Sequence, residues 1–282
     1  MNLNMEEANK LAFMPFYTLV CSTSDIASST VIDNLINLHY FAKFDESTFY
    51  SKDYPNVQLH LTTKSLLYAD GLDEIYPDSD CFIFISQHRS ASNIPTLTCH
   101  TTGNFGENLY GGRSKEMGIC YPWIQKQYLV ELNTMKNHVP NYDITIEASH
   151  HGPTSLNKPT IFIEIGSTEI QWTDKTAAQT VCTALLRVVS TKPNYCKKVA
   201  IGLGGTHYPT KFNKLLLESE YGLGSVAARH NLPLVEESML KQMISRSVED
   251  VSCVVVDAKG MGGEKHRLLP LIEKTGLELV KL

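Results

Sequence analysis

The chain has 282 residues, of which 43% are hydrophobic and 20% are charged, and this ordinary globular composition excludes a globally disordered chain. The formal net charge of −5 excludes a broad basic field for nucleic acid, so any contact with nucleic acid must be local. The length fits one large domain or two modest ones, and we predict a single domain over residues 1–282.

The N-terminal residues 1–17 differ from a secretory signal, because they carry acidic residues and their apolar run is broken by Pro15. Each apolar run of the chain is also far shorter than the roughly 18 residues of a membrane span. Seven cysteines stand singly, without a CxxC pair, which argues against a disulfide framework. We therefore expect a soluble, cytoplasmic protein without membrane contact, and we expect a monomer.

Short β-branched and aromatic runs that stop at turn residues predict strands. These strands cover residues 16–22, 57–63, 81–86, 96–100, 143–149, 160–167, 197–205 and 251–258. Helices are predicted at 25–38, 173–190, 211–220 and 236–248. In the helix at 173–190, Thr173 or Asp174 can cap the start, and an apolar stripe is formed by Ala177, Val181, Leu185 and Val188. The glycine-rich segment 101–118 is predicted to be a long loop, and residues 39–56 show no clear period. The alternation predicts an α/β fold, a mixed and largely parallel sheet flanked by helices, with ligands beyond the carboxyl ends of the strands.

Histidines follow four of these predicted strands. His88, His100 and His207 each come at or just after the end of a strand-like run, and His150 and His151 follow another. One such histidine can simply satisfy the hydrogen bonds of a turn. Five of the ten histidines in this position indicate a functional site, because imidazole serves mainly for proton transfer or metal ligation near neutral pH. The other histidines are expected to be superficial or structural: 39, 60, 138, 230 and 266.

The pattern His-x-Pro-Thr occurs twice, at 151–154 and at 207–210. Proline fixes φ and favours an extended conformation before it, so we expect both histidines on rigid, extended turns. Thr154 and Thr210 can each cap a helix or donate to a ligand. A capping role is expected for Thr210, because the residues after it have a helical pattern.

Two glutamates stand in apolar strand sequences, Glu147 in TIEAS and Glu164 in TIFIEIGS, so we expect both to be partly buried. A buried carboxylate needs a partner, and either one can orient a histidine, bind an amine, ligate a metal or form a structural ion pair. His150, His151 and His207 are the candidate metal ligands. The spacing alone supports zinc only weakly, since neighbours on a strand point to opposite faces and only one of the two adjacent histidines is expected to face the site.

Long motifs occur in a fixed order along the chain. They are SQHRSAS at 86–92, LTCHTTGNFG at 97–106, EASHHGPTS at 147–155, FIEIGSTEIQW at 162–172 and GGTHYPTKF at 204–212. In these motifs the chain resembles the archaeal-type D-aminoacyl-tRNA deacylases, which also occur in plants. The resemblance implies hydrolysis of the ester that joins a D-amino acid to the 3′ end of tRNA. It also implies zinc as a cofactor and a fold similar to peptidyl-tRNA hydrolases and phosphorylase-like proteins.

This chemistry assigns expected roles to the residues of the motifs. Because an aminoacyl ester is already activated, a site needs only to position water, accept its proton and stabilise an oxyanion. We expect His151 or His207 as the base, with His88 and His100 as oxyanion donor or proton partner. Glu147 or Glu164 is expected to bind the α-ammonium group. Further substrate-binding candidates are Thr154, Thr210, Asn104, Arg89 and Lys211.

A local basic patch is expected to hold the phosphates of the tRNA. Its members lie in or beside the motif loops: Arg89, Arg113, Lys115, Lys211 and Lys214. Two other functions remain compatible with the residues. One is a metal-dependent peptidase or amidohydrolase, which predicts chelator-sensitive cleavage of peptides. The other is a non-catalytic module that grips tRNA ends, which predicts binding without turnover.

Overall fold

The computed structural model describes residues 14–39 and 41–282 of the chain. Residues 1–13 lie outside the described ranges. They make up most of the N-terminal segment 1–17, which we predict not to be a secretory signal. The described part has the α/β fold that the sequence predicts. Its helices are each too short or too polar to cross a membrane.

The strands are β1 (Tyr17–Ser22), β2 (Ala42–Lys43), β3 (Thr48–Tyr50), β4 (Val57–Thr62), β5 (Cys81–Arg89), β6 (Thr96–His100), β7 (Gly103–Asn104), β8 (Glu116–Met117), β9 (Asp143–Ile146), β10 (Thr160–Ser167), β11 (Lys198–Leu203), β12 (Tyr221–Ala227), β13 (Cys253–Val256) and β14 (Glu278–Lys281). The α-helices are α1 (Ile26–Leu38), α2 (Leu72–Ile75), α3 (Pro122–Thr134), α4 (Glu169–Trp172), α5 (Lys175–Val189), α6 (Thr210–Glu218), α7 (Glu237–Ser245) and α8 (Lys265–Glu273). Short 3₁₀ turns include Leu66–Tyr68 and Arg229–Leu234.

Over the described ranges, the strands form two main sheets. The first has eight strands in the order β2-β3-β4-β1-β5-β10-β6-β9, and the second has four in the order β12-β11-β13-β14. The second sheet is parallel throughout, and the centre of the first is parallel from β4 to β10. The exceptions are β2, β3 and the junction of β10 with β6, which are antiparallel.

The two faces of the first sheet carry different side chains, because neighbours along a strand point in opposite directions. On β5, Ile83 and Ile85 belong to the large core that α1, α3 and α5 cover, whereas Phe82 and Phe84 belong to a smaller cluster on the opposite face. The large core also contains Val226 of the second sheet. The smaller cluster leaves room on its face for the polar side chains described below.

Helix α5 shows how closely a pattern can predict an element. Asp174 caps it, as expected, and accepts hydrogen bonds from the backbone N–H groups of Thr176 and Ala177. The predicted stripe of Ala177, Val181, Leu185 and Val188 is buried.

The predicted loop at 101–118 is largely irregular, although the small β7–β8 pair closes it. The seven cysteines all carry free thiols, as expected.

Candidate active site

The predicted histidines and glutamates meet on one face of the first sheet. On β10, Glu164 follows Phe162 by two residues, so both side chains point to the same face of the sheet. His88 of β5 pairs with Gly166, two residues further along β10, and so points to this face as well. The register pairs Phe162 with His100 of β6. Since β6 runs antiparallel to β10, its carboxyl end reaches the middle of β10. The site therefore extends over the sheet face. His100 is the last residue of β6, at the strand end where the sequence predicts it, but this end lies beside the amino-terminal half of β10.

Glu147 is the centre of the site. It follows β9 directly and is buried, as expected. Its Oε2 lies 2.7 Å from Nε2 of His207 and 3.3 Å from Nε2 of His150, and its Oε1 lies 3.2 Å from Nδ1 of His88. Burial raises the pKa of Glu147, but the hydrogen bond from His207 and the charges of the other imidazoles outweigh burial and hold the pKa below its usual value.

Glu164 makes a second set of contacts from β10. Its Oε1 accepts a hydrogen bond from the hydroxyl of Ser86 at 2.6 Å, and its Oε2 lies 3.0 Å from Nδ1 of His88. Burial opposes the charge, yet His100 and His88 hold the pKa of Glu164 well below its usual value. In return, the two carboxylates outweigh burial and raise the pKa of His88 and of His100. Both glutamates are therefore ionised at neutral pH.

His150 and His151 both face the site, so the expectation that only one of them does is wrong. Strand β9 ends at Ile146, and His151 has a φ of 42°, so the two residues do not alternate as strand neighbours would. The extended turn expected at His151 is wrong for the same reason. The ring centroids of His150 and His151 lie 4.1 and 4.8 Å from that of His100.

The protonation of this pair suits metal ligation. Burial, together with the neighbouring His100, holds the pKa of His150 well below its usual value and lowers that of His151 to about 4. Both imidazoles are therefore neutral at physiological pH and keep a lone pair for a proton or a cation.

At the site itself, three buried polar atoms make no hydrogen bond to the residues that the structure describes: Nε2 of His100, Nε2 of His150 and Oε1 of Glu147. Buried polar atoms are normally paired, so these three are available to a bound ion or ligand. The ligand atoms of His100, His150 and His151 lie within 4.8 Å of one another. Two further groups meet the same limit: His88, Glu147 and His207, and His100, Glu147 and Glu164. Imidazole nitrogen and carboxylate oxygen are donors that zinc accepts, so the residues fit a zinc ion.

A cavity of about 620 Å³ opens onto these residues, and we call it the first cavity. Its volume falls within the roughly 300 to 1,000 Å³ of small-molecule sites. It is lined by His88, His150, His151, His207 and Glu164, and also by Asp25, Arg89, Tyr110 and His230. His100 is fully buried behind this wall. His230, expected to be superficial, is exposed and yet lines the cavity.

Two of the predicted substrate-binding residues hold the glycine-rich loop. The hydroxyl of Thr154 donates to Glu116 at 2.7 Å and accepts from the backbone N–H of Arg113 at 2.8 Å. The amide of Asn104 donates to the carbonyl oxygens of Gly111 and Arg113. These bonds fix the loop that forms part of the site.

Three other candidates are dispersed around the site. Arg89 lines the first cavity with its guanidinium 5.2 Å from the ring of Trp172. Lys211 and Thr210 line a separate cavity of about 160 Å³, where Lys211 bonds Asp257 at 2.7 Å. The predicted capping role of Thr210 is wrong, because helix α6 begins at this residue after Pro209 and Thr210 makes no capping bond.

Tyr208 joins the site although the sequence pattern gives little signal for it beyond its place inside the second His-x-Pro-Thr. Its hydroxyl lies 2.5 Å from Nε2 of His88, whose Nδ1 faces Glu164. Burial raises the pKa of Tyr208, so the phenol keeps its proton. Both ring nitrogens of His88 are thus engaged, and its orientation is fixed.

We expect Tyr208→Phe to lower kcat/KM about tenfold for the ester hydrolysis that the motif resemblance implies. His88 would lose the partner of its Nε2 atom and with it a fixed orientation. The matched control is Tyr142→Phe, whose hydroxyl donates to Asp174 at 2.8 Å outside the site. That control should lose some stability but keep its activity. Steady-state kinetics on both variants test this, and full activity in Tyr208→Phe would contradict it.

The motif resemblance is confirmed by comparison with known proteins. A family model described as D-aminoacyl-tRNA deacylase matches residues 75–280. A D-aminoacyl-tRNA deacylase of Cenarchaeum symbiosum is 41% identical over 75% of this chain and 81% of its own length. One of Thermococcus kodakarensis is 34% identical over 91% of this chain and 96% of its own. A crystal structure described as a conserved protein of unknown function superposes with a TM-score of 0.87, at 28% identity and with 95% of both chains covered. The chain belongs to the D-aminoacyl-tRNA deacylase family.

Proposed function

We propose that this protein hydrolyses the ester bond of D-aminoacyl-tRNA and releases the free D-amino acid and the tRNA. Membership of the family gives the substrate class. The observation that carries the chemistry is the hydrogen bond between Glu147 and Nε2 of His207, at the wall of the first cavity. A carboxylate that holds one ring nitrogen leaves the other nitrogen of the neutral imidazole as the base.

The proposed reaction begins with a water molecule beside His207. Nδ1 of His207 takes a proton from this water as the oxygen attacks the ester carbonyl carbon, while Glu147 stabilises the imidazolium that forms. The tetrahedral adduct then expels the ribose oxygen, which receives the proton back from His207. The bond between the carbonyl carbon and the ribose oxygen breaks, and the products are a carboxylic acid and a ribose hydroxyl.

The amine of the substrate needs an anionic partner in the same cavity. Glu164 and Asp25 line the first cavity, whereas Glu147 lies beneath the histidines. Of the two glutamates considered from the sequence, we therefore assign the α-ammonium to Glu164. In our proposal, His88 and His100 hold Glu147 and Glu164 in position, because both ring nitrogens of His88 are bonded and His100 is fully buried.

We propose zinc as the metal of the site, held by His100, His150 and His151. The unpartnered Nε2 atoms of His100 and His150 support this, as does the neutral state of His150 and His151. When bound, zinc would supply Lewis acidity to polarise the ester carbonyl. The residues of the chain would still orient the substrate and move the proton.

Removing the metal is expected to lower turnover more than tenfold and to lower the melting temperature, because a bound ion stabilises the folded state. The measurement is turnover and thermal unfolding after dialysis against a chelator, with metal analysis and zinc add-back. As a matched control, His60→Ala removes a histidine that bonds Tyr76 at 2.8 Å, and it should keep its metal. Full activity in protein shown to be free of metal would overturn the zinc assignment.

The asparagine variant of His207 tests the proposed base. We expect His207→Asn to release amino acid from D-tyrosyl-tRNA at least about 100-fold more slowly than the wild-type protein, since it lacks a proton acceptor. Wild-type protein should not cleave a short peptide with a free amino terminus. Chelator-sensitive cleavage of the peptide would favour a peptidase, and tRNA binding without any release would favour a binding module.

We also propose that the protein acts in the cytoplasm as a single-domain monomer. The large core supports one domain, since it includes Leu19 of the first sheet and Val226 of the second. The free thiols fit a reducing compartment. Light scattering should give the mass of one chain, and a mass of two chains would refute the monomer.

A further inference from the structure

A second cavity of about 650 Å³ is also lined by His150 and His151. It shares Tyr110, His150, His151 and His230 with the first cavity, so the two cavities meet at the site. Its own walls include Asn104, Phe105, Leu109, Lys115, Asn231 and Leu234. An aminoacyl ester has an acyl part and a nucleoside part on either side of the reacting carbon. Two cavities that meet at the histidines match this division.

The charges of the two cavities differ. The first cavity is lined by two carboxylates, Asp25 and Glu164, and by one cation, Arg89, and its excess of carboxylates suits the α-ammonium group of the acyl part. The second cavity is lined by one carboxylate, Glu107, and one cation, Lys115, so it has no such excess. The acyl part with its cationic amine therefore fits the first cavity, and this leaves the second for the nucleoside, whose 5′-phosphate is an anion.

The wall of the second cavity suits a nucleobase. Leu109, Tyr110 and Leu234 expose 70%, 64% and 45% of their surface, although large apolar side chains are normally covered. Aromatic and apolar side chains stack on the faces of unpaired bases. The amides of Asn104 and Asn231 offer donors and acceptors for the edge of a base, although Asn104 already donates to the loop.

We propose that the second cavity binds the 3′-terminal adenosine of the tRNA, against Leu109, Tyr110 and Leu234, with Lys115 near its phosphate. This assignment rests on the proposed function, because that function makes a tRNA end the ligand. It places the adenosine and the amino acid in two cavities that meet at His150 and His151. The reverse arrangement, with adenosine in the first cavity, is a distinct outcome of the test.

Binding of uncharged tRNA tests the assignment without any turnover. The probes are one tRNA that ends in CCA and the same tRNA without its terminal adenosine. Wild-type protein should bind the CCA form at least about fivefold more tightly. The ratio of the two dissociation constants should approach one in Leu109→Ala and in Leu234→Ala. It should keep its wild-type value in Ile170→Ala, a control whose side chain is 78% exposed and lines neither cavity.

The opposite patterns overturn the assignment. A ratio that is lost in Arg89→Ala but kept in Leu109→Ala would place the adenosine in the first cavity, which Arg89 lines. A wild-type ratio of one would show that the terminal adenosine has no cavity of its own. Failure of the proposed function would look different, because the two uncharged tRNAs would then be bound with the expected ratio while D-tyrosyl-tRNA was bound and not hydrolysed.

Discussion

Replacing Glu147 with glutamine is expected to lower kcat/KM for D-aminoacyl-tRNA by at least about 100-fold. The side chain keeps its shape but loses the charge that His207, His150 and His88 share. The neutral amide attracts these imidazoles less, and it no longer stabilises a protonated His207. The measurement is single-turnover release of amino acid by protein whose folding is verified by circular dichroism.

Glu249→Gln is the matched control for this variant. Glu249 is also a buried carboxylate, but it accepts from the backbone N–H groups of Trp123 and Cys196, at 2.6 and 2.7 Å. This variant is expected to unfold more easily and to keep the kcat/KM of the wild-type protein. Activity of Glu147→Gln within threefold of wild type would remove Glu147 from the centre of the mechanism.

The second large effect is expected at Gly152. A Cβ atom on this residue would overlap the backbone of Gly111 and Gly112 in the glycine-rich loop. Backbone cannot rotate away as a side chain can, so Gly152→Ala is expected to lower the free energy of unfolding by about 2 to 3 kcal/mol. For a chain of this size the melting temperature should fall by roughly 5 to 10 °C. Activity should fall too, because His151 precedes the displaced residue.

Gly263→Ala is the control for this effect. Its added Cβ would meet nothing within 4 Å, so the melting temperature should stay within about 1 °C of wild type. Differential scanning calorimetry on both variants measures the difference. Equal stability of Gly152→Ala and wild type would mean that the loop does not pack against the His151 turn as described.

The sequence predicts the central elements because their residues have consistent local patterns. Apolar runs that end in turns place β5, β10 and β13 within a few residues, and Asp174 marks the start of α5. Strand β12 has no such pattern, since Gly222 and Gly224 weaken it. The glycines are required by packing, because a Cβ at these positions would lie 2.6 and 2.9 Å from the Sγ atoms of Cys196 and Cys120. Contacts of this kind cannot be predicted from local sequence.

The membership of the site is predictable, but its arrangement is not. His88, His100, His150 and His151 come together because β5, β6 and β9 lie in one sheet, whereas His207 reaches them from the end of β11 in the second sheet. The antiparallel direction of β6 and the positive φ of His151 are set by tertiary packing, and they decide which side chains meet. For the same reason, local sequence could not reveal that Tyr208 reaches His88 or that Thr154 supports a loop.

The most direct test of the proposed function compares D-tyrosyl-tRNA with L-tyrosyl-tRNA under single-turnover conditions, each corrected for its spontaneous hydrolysis. We expect the protein to release D-tyrosine at least roughly 100-fold faster than L-tyrosine, because the amine, carbonyl and adenosine are each held at fixed places. Equal acceleration of both esters would contradict the proposed selectivity. No acceleration of either ester, with the tRNA still bound, would contradict the enzyme itself.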